Sequence, residues 1–269
     1  MHQADAIAFL KATHRTLAEQ EDLSPNNPEV NNCLGALVAT LRRWQAAGFG
    51  AELSGHPDLA EVAAGLPGLC GAAEGEMEKW WCRKILASPC PGAQALAAFW
   101  YLDEYRALCQ SELALLGGRS AEHFAFLGSG ALPLTAILLA QSGPGICVQC
   151  VDWDGEACEL AARLIALLGL GNRVDVTEGD ARDFRPPSGQ TLICASLLHA
   201  PGLYARLAEA RAERLVIRDA EGAYRFCYRP AALPGDGFVE RGKSPISTRR
   251  INTSRYFEAV NAGCEPHPS

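Results

Sequence analysis

The sequence predicts an α/β protein: a Rossmann-like half built on a parallel sheet, preceded by an all-helical half. Three observations predict it. Apolar residues over 1–117 recur near helical spacing, with no alternating stretch. From residue 118 onward, short apolar runs alternate with helical segments. The first of those runs, over 123–127, stops at two glycines, Gly128 and Gly130. The pattern changes at Gly117-Gly118-Arg119-Ser120, which gives two domains, 1–117 and 118–269.

In the first half, Ile7, Leu10, Leu17 and Ala18 lie near helical spacing in a helix over 4–20. Ser24-Pro25-Asn26-Asn27-Pro28 is a turn and a helix start, since proline suits a first helical turn. Leu34, Leu37, Val38 and Leu41 share a face of a helix over 30–47, which Gly48 and Gly50 end. Two more helices, over 59–66 and 68–85, flank Pro67. A long helix over 93–116 closes at Gly117-Gly118. In the second half, strands over 123–127, 146–151, 174–177, 192–195 and 215–218 alternate with helices over 133–141, 156–168 and 203–210. Such alternation with short loops means a parallel sheet covered on both faces. The tail over 224–256 reads as two strands around a loop, 230–247, that holds three prolines and three glycines. A closing antiparallel hairpin fits.

The bulk numbers exclude several classes. At 269 residues, 48% hydrophobic and 20% charged, the chain is an ordinary globular one. A net charge of −7, with no basic run beyond Arg249-Arg250, disfavours nonspecific nucleic-acid binding. The first ten residues lack the basic-then-apolar order of a secretion signal, and no segment approaches the roughly 18 apolar residues of a membrane span. Eleven cysteines, an odd number without such a signal, read as reduced thiols in the cytoplasm. Cys147 and Cys150 form a CxxC, but on a strand pattern with no second pair or histidines beside it, so no metal is expected.

The cofactor reading rests on three strand ends. In an open parallel sheet, ligands lie beyond the carboxyl ends of the strands. Strand one runs into Gly128-Ser129-Gly130, where glycines let the backbone approach a ligand, and then into Leu132-Pro133. Strand two ends at Asp152-Trp153, where an acid can hold both hydroxyls of an adenosine ribose. Asp154 reads as the cap of the next helix. A dinucleotide site wants a third glycine at position 133, and this chain has Pro133, which weakens NAD and FAD. Strand three ends at Gly179-Asp180-Ala181, where an acid can accept from the adenine amine. Glycine turn, ribose acid and adenine acid in register describe a pocket for S-adenosylmethionine, with Leu197 and Leu198 walling the adenine. The blander readings are turn glycines, a capping Asp152 and a solvated Asp180.

Phe126-Leu-Gly-Ser-Gly-Ala-Leu-Pro-Leu134 resembles the glycine motif of the nicotianamine synthase family. Leu23-Ser-Pro followed by Val30-Asn31, Leu34 and Leu37-Val38 is similar to its N-terminal Pro–Val–Asn pattern. Leu69-Cys-Gly-Ala-Ala-Glu-Gly-Glu-Met-Glu78 looks like its glutamate-rich helix, and Tyr101, Tyr105 and Glu112-Leu113 look like its tyrosine helix. Asn252-Thr253-Ser254 stands where the family has an Asn–Ser pair. The resemblance implies transfer of the 3-amino-3-carboxypropyl (aminobutyrate) arm of S-adenosylmethionine to an amine, with release of 5′-methylthioadenosine. It also implies a homodimer. The loops and the segment 252–256 look more like the bacterial branch, whose members place one arm on histidine on the way to opine metallophores such as staphylopine and pseudopaline.

Arm transfer needs an amine in line behind the carbon next to sulfur, so the resemblance implies an acceptor pocket between the halves. The amine arrives as ammonium, and a base must take its proton. Glu78 and Tyr105 are the candidates, with Glu74 four residues before Glu78 on the same helix face. Two carboxylates there raise each other's pKa. The alternatives are a solvated face of Glu74, Glu76, Glu78 and Lys79, and core packing for Tyr101, Tyr105, Trp80 and Trp81. His199 is equally a loop residue or a pocket residue. Arg250 and Arg255 can bind a substrate carboxylate or simply be solvated. Histidine aminobutyrate transfer leads, ahead of nicotianamine synthesis, small-molecule methyl transfer and noncatalytic binding of S-adenosylmethionine.

Overall fold

The computed structural model describes residues 2–117, 122–247 and 250–260. Gly118, Arg119, Ser120 and Arg249 of the readings above, and Cys264 of the eleven cysteines, lie outside them. Five helices come first: α1 (Gln3–Ala18), α2 (Pro28–Ala46), α3 (Ala60–Leu86), α4 (Gly92–Ala97) and α5 (Leu102–Leu115). Asn27 caps α2 by accepting from the Glu29 N–H at 3.0 Å, with Pro28 in the first turn. No helix among the described residues is long and apolar enough to cross a membrane.

Two helix readings change. The break expected at Pro67 is absent, and α3 runs 27 residues through it. A proline inside a helix removes one backbone bond. Here Leu66 is fully buried and Cys70 nearly so, so packing on both sides of Pro67 offsets the missing bond. Conversely, the single helix expected over 93–116 is two, α4 and α5. Aromatic contacts cross the gap. Phe99 turns inward against Trp81, with ring centroids 5.3 Å apart, whereas Tyr101 turns to Tyr105 at 5.8 Å. Holding neighbouring rings in different directions sets the break.

The second half is one seven-stranded sheet. The strands are β1 (His123–Leu127), β2 (Cys147–Asp152), β3 (Val174–Glu178), β4 (Thr191–Cys194), β5 (Arg214–Ala220), β6 (Phe238–Lys243) and β7 (Asn252–Ala259). Helices α6 (Leu134–Ser142), α7 (Gly155–Leu167) and α8 (Leu203–Glu209) cross between the parallel strands. The order β3-β2-β1-β4-β5-β7-β6 reverses direction between β1 and β4, so the glycine turn after β1 sits at the switch point. β1 to β5 pair parallel; β7 pairs antiparallel with both β5 and β6. The closing hairpin is present, but its first strand, β6, lies inside the stretch read as a loop. Residues near Tyr224 form a 3-10 turn, Gly222–Phe226, instead of a strand. Tyr224 and Phe226 are buried against α1, α2 and α3, and that apolar cluster fixes the segment.

Candidate functional site

The glycine turn has the backbone the sequence demands. Gly128 and Gly130 both have left-handed φ, +75° and +67°, a region costly for residues with a Cβ. Gly130 donates its N–H to Asp152 Oδ2 at 2.8 Å, and Asp152 Oδ1 accepts from the Asp154 N–H at 3.0 Å. Asp152 thus braces the turn against the end of β2. Asp154 caps α7, accepting from the Glu156 and Ala157 N–H groups.

Helix α3 enters this turn from above. A Cβ placed on Gly130 would collide with the Glu78 carboxylate, so Glu78 lies directly on the turn. Burial pushes the Glu78 carboxyl well above the usual carboxylate range. Glu74 and Asp152 push the same way, while the backbone N–H groups of Leu132 and Ala131 oppose the rise. Burial also raises Glu74, although the Tyr228 hydroxyl, donating at 2.6 Å, and Arg218 favour its ionised form. Tyr105 is driven well above its ordinary value by burial and then by Glu74 and Glu78. Its phenol therefore stays protonated and is able to donate a hydrogen bond.

The carboxylates of α3 divide cleanly. Glu74 and Glu78 face inward. Glu76 turns out to Lys79 at 3.6 Å, and Lys79 continues to Asp154 at 2.7 Å and Glu156 at 3.2 Å. The solvated-face reading holds for Glu76 alone. Trp80 and Trp81 pack edge to face on each other, and Trp81 on Phe99.

Not every predicted cofactor residue is placed alike. Ser129 is buried, with its hydroxyl against the Cys150 thiol, so its side chain does not face the turn's open side. Leu132 is buried and Pro133 starts α6. Trp153 stands 81% exposed beside Asp152. Asp180 caps the 3-10 turn Ala181–Asp183 and pairs with Arg182 at 2.5 Å, which holds its carboxyl down at about 2. An adenine amine there would compete with a guanidinium already in place, which the sequence reading did not foresee. Gly179 and Ala181 flank it, with Ala181 buried. Leu198 packs behind Gly128, and Leu197 reaches across to Gly71 of α3, so both wall the site. His199 is exposed. Arg255 is ringed by Asp219, Glu221 and Glu240 at 3.6–3.9 Å, which occupies it within the sheet. Cys150 is buried in β2, and among the described residues no group of three or more His, Cys, Asp or Glu gathers to hold a metal.

Two neighbours of these side chains carried no sequence signal. Tyr228 follows the 3-10 turn and reaches Glu74. Arg218 of β5 lies beneath the site, 4% exposed, and donates to both Glu112 oxygens at 2.8 and 3.0 Å and to Thr135 at 2.7 Å. Ser254 adds a bond to Glu112 at 2.8 Å. Only the chain reversal that brings β5, β7, α5 and α6 together reveals this foundation.

The turn predicts its own sensitivity. Gly130→Ala is expected to cost about 1–2 kcal/mol from the left-handed backbone alone, with a further loss from displacing Glu78. Gly179→Ala, which meets open space, is the control. Equal urea midpoints for the two variants would overturn this account.

The model of the nicotianamine synthase protein family matches residues 3–186. Nicotianamine synthase 9 of Hordeum vulgare is 33% identical over 263 residues, covering 92% of this chain and 75% of its own length. The L-histidine 2-aminobutanoyltransferase of Yersinia pestis is 31% identical over 124 residues, 45% of this chain and 46% of its own length. Among solved structures, MtNAS in complex with MTA and tNA superposes with a TM-score of 0.82 at 20% identity, covering 97% of this chain and 99% of that one, which speaks for the fold. The glycine turn and the glutamate helix, two motifs far apart in sequence, close on each other in a chain that this family's model matches over most of its length. This chain belongs to the nicotianamine synthase family.

Proposed function

We propose that this chain transfers the 3-amino-3-carboxypropyl arm of S-adenosylmethionine to the amine of histidine and releases 5′-methylthioadenosine. The observation that carries the reading is Glu78 seated on Gly130. It puts a carboxylate of the helical half on the turn that borders the S-adenosylmethionine pocket. The left-handed glycines, Asp152 at the end of β2, exposed Trp153 and the two leucines are the residues the reading sets around that substrate. Its sulfonium supplies an activated carbon and a neutral thioether leaving group.

In the transfer, the acceptor nitrogen forms a C–N bond to the arm carbon as the C–S bond breaks. The bonding pair leaves on sulfur, which becomes neutral, and the nitrogen gives up a proton. Glu78 takes that proton, a carboxylate made more basic by burial and by Glu74 and Asp152 beside it. Glu74 holds the ammonium before it is deprotonated, and Tyr105 orients it by hydrogen bonding. The two domains, 1–117 and 118–269, then have separate tasks: the second holds the donor and the first brings the base.

Histidine as acceptor, and a place in opine-metallophore biosynthesis, is supported by the partial similarity to the Yersinia pestis histidine transferase. The same reading has the enzyme acting in the cytoplasm as a homodimer. A second reading, repeated condensation to nicotianamine, is favoured by the longer match to the barley enzyme. Incubation with S-adenosylmethionine, with and without histidine, separates them by mass spectrometry. Methylthioadenosine that requires histidine supports the first reading. Methylthioadenosine without an added amine supports the second. S-adenosylhomocysteine as product would sink both.

A further inference from the structure

Beside Glu74 lies a tight cleft between α5 and the start of β7, with a volume of only about 20 Å³, so it can seat a single polar group while the rest of a ligand stays at its mouth. Its charges are segregated. Glu74, Glu104, Tyr105 and Tyr228 supply carboxylates and hydroxyls, while Asn252, the first residue of β7, and Arg250 just before it line the other part. Arg250 is anchored there. Its Nη1 donates to the Ala107 carbonyl at 3.0 Å and to the Ser111 hydroxyl at 2.6 Å, both on α5. No hydrogen bond occupies its Nε or Nη2 among the described residues. Asn252 Oδ1 is buried and accepts no hydrogen bond. A buried acceptor without a donor is costly, and a guanidinium held by one nitrogen leaves its remaining N–H groups for an anion.

We infer that Arg250 binds the carboxylate of an amino-acid acceptor while Asn252 Oδ1 takes one of its N–H donors. This rests on the transfer reading and deepens it. The lining chemistry suits a zwitterion held at the cleft's mouth: the guanidinium answers its anionic end, and Glu74, Glu104 and Tyr105 answer its nitrogen end. The arrangement also separates acceptors by class. An amine without a carboxylate leaves Arg250 unanswered, and sites built to pair polar groups reject partners that lack them.

The test is calorimetric titration of the full chain, saturated with methylthioadenosine, using histidine and its decarboxylated counterpart histamine. Wild type should bind histidine at least tenfold more tightly than histamine. Arg250→Gln should weaken histidine about 10- to 100-fold, as expected for a charge-assisted pair of about 1.5–3 kcal/mol, and leave histamine unchanged. Arg250→Lys, which keeps the charge but not the fork, should recover part of the loss. Methylthioadenosine affinity, measured in the same samples, reports whether each variant is folded. Histidine binding unaltered by Arg250→Gln, equal wild-type binding of histidine and histamine, or no histidine binding would overturn the inference. Product formation with any amine is scored separately. It keeps the transfer reading even if the carboxylate site fails, and its absence removes that reading while the titrations still decide the carboxylate site.

Discussion

Glu78→Gln should lower turnover by about 10²- to 10⁴-fold, the usual contribution of a general base, and make the protein more stable at pH 8. Both follow from one carboxylate. Burial, Glu74 and Asp152 hold its folded pKa well above the ordinary value. Above that raised pKa the folded state carries a buried charge that the unfolded chain would solvate. The stability linked to Glu78 is therefore fully present below the ordinary carboxylate value and is lost as pH rises through the folded value. Glutamine is never ionised, so the variant escapes the loss. Thermal melts should show the variant's advantage at pH 8 and its disappearance near pH 4. On the proposed mechanism turnover has the opposite sign: a base must be ionised to take a proton, so kcat/KM falls as pH drops through the same raised pKa. A variant that retains wild-type turnover, or melts lower than wild type at pH 8, would contradict the placement of Glu78.

The second large effect concerns the pair beneath the site. Glu112→Ala strands the Arg218 guanidinium, 4% exposed, without its bidentate partner. Breaking a buried pair from one side costs about 3–5 kcal/mol, which is on the order of 10 °C in Tm for a chain of this size. The double replacement Glu112→Leu with Arg218→Met should recover most of that loss, because buried pairs exchanged for apolar groups are often neutral. Turnover should not recover with it. Arg218 lowers both Glu74 and Tyr105, so without it Glu74 holds its proton to higher pH and, on the proposed mechanism, its hold on the acceptor ammonium weakens, which shifts the pH dependence of KM. A double variant with wild-type stability and an unmoved KM profile would reduce Arg218 to a packing residue.

The motifs of the tyrosine helix and the last strand take on different work in three dimensions. Tyr105 stands at the site, whereas Glu112 and Ser254, one from each motif, meet around Arg218 below it. Sequence similarity marks such residues without saying which touch a substrate and which hold the floor. Likewise, Glu74, Glu76 and Glu78 differ little as residue types, yet α3 turns two inward and leaves the third to Lys79.

The sequence by itself determined what local chemistry dictates. The strands over 123–127 and 174–177, the left-handed glycines 128 and 130, and the cap at Asp154 are each set within a few residues. Tertiary structure alone decided the rest. It carried α3 through Pro67, broke the helix at Phe99 to Tyr101, and drew β6 out of a proline- and glycine-rich stretch by pairing it with β7. It also set Glu78 on Gly130, Tyr228 on Glu74 and Arg218 on Glu112, contacts 52, 154 and 106 residues apart. Spacing along a chain encodes which face of its own helix or strand a residue shares. Which other element meets that face depends on how all the apolar surfaces are buried together, and no short window of sequence contains that.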